Sequence, residues 1–360
     1  MNFFLDSTVF QKGKDVFLNN RLSQEFLNIC RQQNFSIYIS SVVINEIRRQ
    51  FSMFINNQMK NIDSGIGAIN TIPNAYKLSV HLPQHEEVMR SFDSYFESLQ
   101  AEEIIHIVNY SNDFLPELIH RSIHRIKPFT ESKQEFRDAV IWFSYAQLAE
   151  AQELENCFFI SGNTTDYLDK EGQIHEELLE KSRRFSFFKD VYSLLNASFM
   201  EPFKETNALL ESLNQEEWDN ETILSFLRDD TSKKYVIKRL FDDKDGPLKE
   251  ELWSSVYYSQ RTISDLDIVN ISGASIRGVD YINNDFVVNG KFEVKIQFVS
   301  ELEIQNTDLR DQQLGHEELM VFFDAIYDPD SNTFNNLEIS SYEDAHEYWM
   351  GVHRVGQDRF

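Results

Sequence analysis

The stretch Asn2-Phe3-Phe4-Leu5-Asp6 is an apolar, strand-like run that ends in a carboxylate. Three further acids stand next to apolar runs: Glu46 after residues 35–39, Asp138 at the start of Phe136–Ala151, and Asp166 after Cys157–Ile160. If the strand-like runs form parallel strands, their carboxyl ends lie at one edge of a sheet, which is where open α/β sheets bind ligands. The sequence therefore predicts that four carboxylates converge at that edge.

Residues 1–200 alternate between strand-like and helix-like segments. The predicted strands are residues 2–6 and 35–39, Cys157–Ile160 and Phe185–Phe188. The predicted helices are residues 23–32, 42–60, 86–99, 101–110, 116–125, 134–152 and 191–197, with Ser40-Ser41 as the cap of the second. Strands that alternate with helices indicate an α/β domain with a parallel sheet flanked by helices.

Residues 201–360 have a different pattern, which predicts a second, acidic α+β domain. Helix-like segments come first, at residues 205–213, 221–228, 233–241 and 248–258. Strand-like segments follow at residues 280–287, 291–298, 300–305, 318–327 and 336–340, with turns at Asn283-Asn284 and Asn289-Gly290 and a loop at residues 328–332. A short helix is predicted at residues 342–349. We expect helices followed by a β-sandwich or half-barrel.

The chain of 360 residues has a formal net charge of −25, and most of this charge lies in its second part. Residues 1–200 carry 19 Lys and Arg against 26 Asp and Glu, and the remainder carries 15 against 33. A strongly acidic surface repels nucleic acid, so such a partner needs a local basic patch or bound cations. No apolar stretch approaches the roughly 18 residues that span a bilayer. Two cysteines without a disulfide or zinc pattern favour the cytoplasm.

The helix that contains Asp138 supports a metal site. Asp138, Ile141, Trp142 and Tyr145 share one helix face, so the carboxylate points with large apolar residues toward the interior. A buried carboxylate is costly unless it is paired or binds a cation. Clustered carboxylate oxygens suit Mg²⁺ or Mn²⁺, which can activate water for attack on a phosphodiester.

A simpler interpretation remains open for each acid taken alone. Asp6 can cap a helical turn, and Asp166 can be a turn residue in the segment 162–166. Glu135 is a further acid one turn before Asp138 and is either a fifth ligand or a solvated helix-start residue, of which the second is favoured because acids are common in a first helical turn. Four acids at one topological position favour the metal site over this interpretation.

Four motifs in this order resemble those of the PIN-domain nucleases. They are residues 3–7 around Asp6, 38–47 around Glu46, 136–142 around Asp138 and 158–166 around Asp166. The chain is most similar to the larger bacterial PIN-like proteins that have a C-terminal extension, and the likeness covers residues 1–200. It implies that Asp6, Asp138 and Asp166 hold Mg²⁺ or Mn²⁺, that Glu46 completes the ligand shell or orients the attacking water, and that all four are catalytic.

Further residues are candidates for substrate binding. By the resemblance, Asn163 and Thr164 or Thr165 position the scissile phosphate or support a metal ligand, and Ser7 matches a small hydroxyl residue of the family. The densest basic run of residues 1–200, at 120–127, contains Arg125 and Lys127, and Arg48 follows Glu46 closely. Such cations can contact phosphates, or they can pair with nearby acids on a solvated face. The segment between Glu46 and Asp138 is longer than a minimal PIN domain needs.

The sequence therefore predicts a cytoplasmic, metal-dependent endoribonuclease that acts on single-stranded or structured RNA. A toxin, an antiviral defence effector and an RNA-processing enzyme all fit this chemistry. A structure-specific DNA nuclease is an alternative, because flap-type nucleases share the sheet and the acids. A non-catalytic binding or regulatory protein is another, in which the acidic C-terminal domain docks a basic partner protein or masks the site by mimicking nucleic acid.

Overall fold

The computed structural model describes residues 1–13, 16–72, 77–130, 136–242, 262–303 and 310–345 of the chain. It divides into two compact units, Met1–Asn207 and Ala208–Phe360, whereas the sequence analysis places the division after residue 200. Each unit has its own hydrophobic core. Within the described ranges, no helix is both long and apolar enough to cross a membrane.

The first unit contains a five-stranded sheet in which every pairing is parallel, with the order β3-β2-β1-β4-β5. The predicted parallel sheet is thereby confirmed. Its strands are β1 (Asn2–Leu5), β2 (Ser36–Ser40), β3 (Ile105–Val108), β4 (Cys157–Ile160) and β5 (Phe185–Phe188).

The central strand β1 shows why the opening run determines this architecture. Phe3, Phe4 and Leu5 are all fully buried, on both faces of the sheet. A parallel strand covered on both faces has a continuous apolar run rather than an alternating one. Aromatic pairs also link neighbouring strands, with 5.6 Å between the ring centroids of Phe3 and Phe158 and 4.8 Å between those of Phe4 and Tyr38.

Helices and short turns connect these strands. The α-helices are α1 (Arg21–Gln32), α2 (Ser41–Asn70), α3 (His85–Ala101), α4 (Leu115–His124), α5 (Phe136–Ala151), α6 (Thr164–Tyr167), α7 (Glu176–Leu179), α8 (Val191–Leu195) and α9 (Glu201–Gln215). Turns of 3₁₀-helix occur at Ser7–Gly13, Asn112–Phe114 and Ser198–Met200.

Helix α2 begins where the sequence predicts and ends later. The Ser40 hydroxyl accepts a hydrogen bond from the backbone N–H of Val42 at 3.2 Å, so the predicted N-cap is confirmed. The helix was expected to end near residue 60 and continues to Asn70. Its next proline is Pro73, and the glycines at 65 and 67 weaken a helix without stopping it.

One predicted helix of the first unit is wrong. Residues 101–110 were expected to be helical, but Ile105–Val108 forms β3, an edge strand of the sheet. Ile105 pairs with Ile37 and Ile107 with Ile39. Three of the four residues of β3 are β-branched and favour a strand, and the open edge of β2 provides the partner.

The second unit contains α10 (Asn220–Arg228), α11 (Asp230–Asp242) and a sheet of four long strands. They are β6 (Thr262–Ile282), β7 (Asp285–Glu303), β8 (Arg310–Asp328) and β9 (Thr333–Asp344), and each pairs antiparallel with the next. The helices-then-strands order is confirmed. The β-sandwich is wrong, because the described strands form one open sheet rather than two packed sheets, and the half-barrel stays a prediction.

Two local predictions in this sheet are wrong as well. Asn283-Asn284 is the expected turn, with positive φ at both residues, but Asn289-Gly290 lies inside β7. A Cβ on Gly290 would lie 2.6 Å from the ring of Phe323 on β8, so the glycine makes room for that ring. Tyr342 belongs to β9 rather than to a helix. The predicted segments 248–258 and 346–349 lie outside the described residues.

Candidate active site

The three central strands of the first sheet end at the same level. Leu5 pairs with Ile39 on one side and with Ile160 on the other. The residues that follow these strands therefore leave the sheet at one edge. Asp6 follows β1 and Ser161 follows β4, while Glu46 lies on α2, which begins directly after β2.

Asp6 is a buried carboxylate held by two hydroxyl groups. Its Oδ2 accepts hydrogen bonds from Ser161 Oγ at 2.7 Å and from Thr8 Oγ1 at 2.9 Å. Burial raises the pKa of Asp6, and the charge of Glu46 raises it further. The hydroxyls of Ser161 and Thr8 and the backbone N–H of Ser7 oppose this rise, because they stabilise the ionised form.

The loop after β4 connects Asp6 to Asp138. The Ser161 hydroxyl that donates to Asp6 also accepts a hydrogen bond from the backbone N–H of Asn163 at 3.0 Å. The side-chain Nδ2 of Asn163 donates to Asp138 Oδ2 at 3.4 Å. Because Gly162 N–H donates to Thr8 Oγ1 at 2.8 Å, the loop is held against residues 6–8, which directly follow β1.

Two buried tyrosines show that the negative charges converge. Burial raises the pKa of Tyr167 well above its usual value, and the charges of Asp138, Asp6 and Asp166 add to the rise. The pKa of Tyr145 is also raised, first by burial and then by Asp6. Asp166 lies in α6 and is buried. Three of the four predicted acids therefore act on one aromatic side chain.

Glu46 faces the same site from α2 and has a cationic partner. Arg137 Nη1 donates to Glu46 Oε1 at 2.8 Å, and Arg137 directly precedes Asp138 in α5. Gln50 Nε2, one turn along α2, donates to the same oxygen at 3.3 Å. The ion pair joins the start of α5 to α2, so all four predicted acids lie on elements that meet at this edge.

The predicted substrate-binding residues differ in how close they come to the acids. Ser7 and Asn163 lie in the network around Asp6 and Asp138, and Thr164 is the half-buried first residue of α6. Lys127 Nζ donates to the carbonyl oxygen of Thr165 at 2.8 Å, next to Asp166. These are the candidates that the structure places at the edge.

The two arginine candidates have partners of other kinds. Arg48 forms two hydrogen bonds with the carboxylate of Asp93 on α3, at 2.8 and 2.9 Å. Arg125 caps the end of α4 in a left-handed conformation, and its Nη1 donates to the carbonyl oxygen of Ser122 at 3.2 Å. Both contacts hold local structure, as expected for cations on a solvated face.

The donors at this edge suit a divalent cation by their chemistry. Asp6, Asp138 and Asp166 offer carboxylate oxygens, the hard ligands that Mg²⁺ and Mn²⁺ prefer. Burial disfavours the ionised form of Asp6, which is the form that a bound cation stabilises. Among the described residues, no group of three or more Asp, Glu, His or Cys side chains is arranged so that it could hold a metal ion. The fit to a divalent cation is therefore one of residue type.

A parallel five-stranded sheet with acids at the carboxyl edge of its central strands defines the first unit as an open α/β domain with a candidate site at that edge. Residues 3–167 match the family model of the PIN domain. Residues 3–167 are therefore assigned to the PIN-domain family, and the separate antiparallel sheet lies in a C-terminal extension beyond the matched residues. PIN domains are typically nucleases that cleave phosphodiester bonds and generally use divalent metal ions. The comparisons with curated proteins and with solved structures found no match.

Sequence reasoning missed several residues around the acids. Thr8, from the 3₁₀ turn after β1, and Ser161, from the loop after β4, bond to Asp6. The charges of Asp6, Asp138 and Asp166 act on Tyr167, and Arg137 pairs with Glu46. A signal existed for Ser161, because it is the first polar residue after β4, as Asp6 is after β1. The contact of Thr8 with Asp6 is local, two residues along the chain, while those of Arg137 and Tyr167 depend on how distant segments pack.

Proposed function

We propose that this protein is a metal-dependent endoribonuclease. The observation that carries the proposal is the linked set Asp6, Ser161, Asn163 and Asp138 at the carboxyl edge of a PIN-domain sheet. This activity is equally compatible with three biological roles: a toxin, an antiviral effector and an RNA-processing enzyme. Two free, buried cysteines suit the cytoplasm as its compartment.

The residues at the edge divide the work of the reaction. Asp6, Asp138 and Asp166 hold Mg²⁺ or Mn²⁺, and Glu46 completes the ligand shell or orients the attacking water. A bound ion lowers the pKa of water and neutralises charge that develops on the phosphate. Ser161 and Thr8 keep Asp6 in its ionised form, and Asn163 fixes the carboxylate of Asp138. Thr164 and Ser7 lie where the scissile phosphate is positioned.

The test measures cleavage of labelled single-stranded RNA, hairpin RNA, single-stranded DNA and flap DNA by the full chain, with Mg²⁺ or Mn²⁺ and with EDTA. Asp6→Asn and Asp138→Asn keep the size of each side chain and remove its charge. We expect each to lose on the order of a hundredfold in rate, the scale of one catalytic group. Asp63→Asn, at an exposed site on α2, is the matched control and retains full activity.

The outcomes separate the alternatives. Cleavage confined to flap DNA identifies the structure-specific DNA nuclease instead. Activity that survives both substitutions and EDTA overturns the mechanism. Absence of divalent-cation binding in calorimetry, together with absence of cleavage, favours the binding or regulatory protein that acts through its acidic C-terminal unit.

A further inference from the structure

Arg121 is a buried cation to which no role in the reaction has been given. It lies on α4, and only 4% of its side chain is exposed. Its guanidinium donates to Glu117 Oε1 at 3.0 Å and to Glu180 Oε2 at 3.2 Å, and it lies 5.3 Å from the ring centroid of Phe143. Burial of a charge is costly unless its hydrogen-bond donors are satisfied, and Arg121 makes two further hydrogen bonds, both to backbone carbonyl oxygens.

Those contacts hold the backbone of Lys127. Arg121 Nη1 donates to the carbonyl oxygen of Lys127 at 3.1 Å and to that of Glu177 at 2.9 Å. The carboxylate of Glu177 in turn accepts a hydrogen bond from the backbone N–H of Lys127 at 2.7 Å. Both polar backbone groups of Lys127 are therefore fixed, one by Arg121 and the other by Glu177.

The side chain of Lys127 points from this anchored backbone to the acidic edge. Its ammonium donates to the carbonyl oxygen of Thr165, the residue before the predicted metal ligand Asp166. The helix that supplies Glu177 is itself fixed to the core, because Trp142 Nε1 donates to the carbonyl oxygen of Leu178 at 3.2 Å. The position of the ammonium is thus set by rigid elements on two sides.

Lys127 differs from its cationic neighbours in what it contacts. Arg48 pairs with Asp93, Arg137 with Glu46, and Lys181 with Glu117. Among the described residues, Lys127 has no carboxylate partner, and its ammonium bonds to a neutral carbonyl oxygen instead. An ammonium has three donors, so this group retains charge and donors for an anion.

We propose that Arg121 and Glu177 position Lys127, whose ammonium binds a phosphate of the nucleic-acid backbone next to the acids. The inference rests on the proposed nuclease function. Fixing the backbone of Lys127 in advance reduces the conformational freedom lost when substrate binds. Lys127 is the contact residue, while Arg121 and Glu177 act through it as positioning residues.

A double-mutant cycle on the full chain tests this arrangement. Binding of a fluorescein-labelled single-stranded RNA, and of the DNA of the same sequence, is measured by anisotropy in EDTA, so that no cleavage is needed. Lys127→Ala should weaken binding about tenfold, the value of one charge-assisted hydrogen bond, and Lys127→Arg should restore most of it. Glu177→Ala should cause a smaller loss. The double variant should match Lys127→Ala within about twofold, as coupled groups do.

The control separates positioning from general support of the fold. Glu180→Ala removes a partner of Arg121 that does not contact Lys127, and we expect its affinity to equal that of the unmodified chain. Glu177 is partly exposed, so Glu177→Ala tests the anchor without the unfolding that loss of Arg121 risks. In cleavage assays, Glu177→Ala should raise KM and leave kcat unchanged.

Three results overturn the proposal. The first is an RNA affinity that Lys127→Ala leaves unchanged. The second is a double variant whose loss of affinity equals the product of the two single losses. The third is a loss in Glu180→Ala as large as that in Glu177→Ala. Failure of the nuclease hypothesis looks different: the unmodified chain binds the probes and the cycle holds, but neither RNA nor DNA is cut with Mg²⁺ or Mn²⁺.

Discussion

Removing the Ser161 hydroxyl tests whether this protein uses hydrogen bonds to keep a buried carboxylate ionised. Ser161 is fully buried, and its hydroxyl has two partners. It donates to Asp6 Oδ2 at 2.7 Å and accepts from the backbone N–H of Asn163 at 3.0 Å. Ser161→Ala deletes both contacts and changes little else in shape.

The two contacts set the expected loss. A hydrogen bond to a charged group is worth about 1.5–3 kcal/mol and a neutral one about 1 kcal/mol. Ser161→Ala should therefore lower the free energy of unfolding of the first unit by about 2–4 kcal/mol at neutral pH. Ser144→Ala is the matched control, because this buried hydroxyl donates to a neutral carbonyl, that of Val140, at 2.7 Å. It should lose about 1 kcal/mol.

The pH dependence of the stability loss shows whether Ser161 acts on the ionised form of Asp6. Burial raises the folded-state pKa of Asp6, and the hydrogen bond from Ser161 lowers it. The hydrogen bond therefore stabilises the fold most where Asp6 is ionised, and this stabilisation falls as the pH drops through the folded-state pKa. The difference in free energy of unfolding between Ser161→Ala and the unmodified chain should therefore shrink toward acidic pH. The difference for Ser144→Ala should stay constant.

Urea unfolding followed by fluorescence measures both effects. The buried Trp142 reports on the first unit once the other three of the four tryptophans are replaced by phenylalanine. Because the two units need not unfold together, a single probe in the first unit is required. If Ser161→Ala costs no more than Ser144→Ala, or costs the same at every pH, Asp6 does not depend on Ser161 for its ionisation.

Three further predictions use the same unfolding assay or the RNA-binding assay. Asp6→Asn should be more stable than the unmodified chain at neutral pH, because burial opposes ionisation of Asp6. This gain in stability should vanish at acidic pH, where Asp6 is protonated. A destabilised variant at neutral pH would contradict the prediction. Tyr145→Phe should lower the free energy of unfolding by about 2–4 kcal/mol. The Tyr145 hydroxyl donates to the carbonyl oxygen of Leu5 at 2.6 Å and accepts from the N–H of Ser40 at 2.7 Å. An unchanged free energy of unfolding would show that these backbone groups find other partners. Arg48→Ala should lower the free energy of unfolding by less than about 1 kcal/mol, because exposed ion pairs contribute little. It should also weaken RNA binding less than Lys127→Ala does. An equal loss of affinity would place Arg48 in the substrate site.

The parts of the fold that follow from the sequence are those that local pattern determines. The run Phe3-Phe4-Leu5 is buried on both faces, and a continuous apolar run indicates this directly. The edge position of Asp6 and Asp166 then follows from the rule that parallel strands place their carboxyl ends together. Ser40 as the cap of α2 follows from the preference of hydroxyl side chains for that position.

The parts that were missed depend on packing between distant segments. Gly290 resembles a turn residue until the ring of Phe323 is placed over it. Arg121 lies in a basic run that is typical of a solvated face, yet its partners Glu177 and Glu180 are more than fifty positions away along the chain. The Ser161 contact with Asp6 likewise depends on the register between β1 and β4, which a single sequence does not encode locally.

The acidic composition of the chain is compatible with a nucleic-acid substrate because charge is distributed unevenly over two units. Some acids of the second unit lie on its sheet, where burial, Glu338 and Asp280 together raise the pKa of Asp324. Like charges on neighbouring strands oppose folding, and the apolar core of that unit offsets them. A phosphate at the edge of the first sheet meets a different, local set of charges, namely carboxylates that suit a metal ion and the ammonium of Lys127. Under the proposed nuclease function, we expect these residues at the edge, rather than the net charge of the whole chain, to determine whether a phosphate binds there.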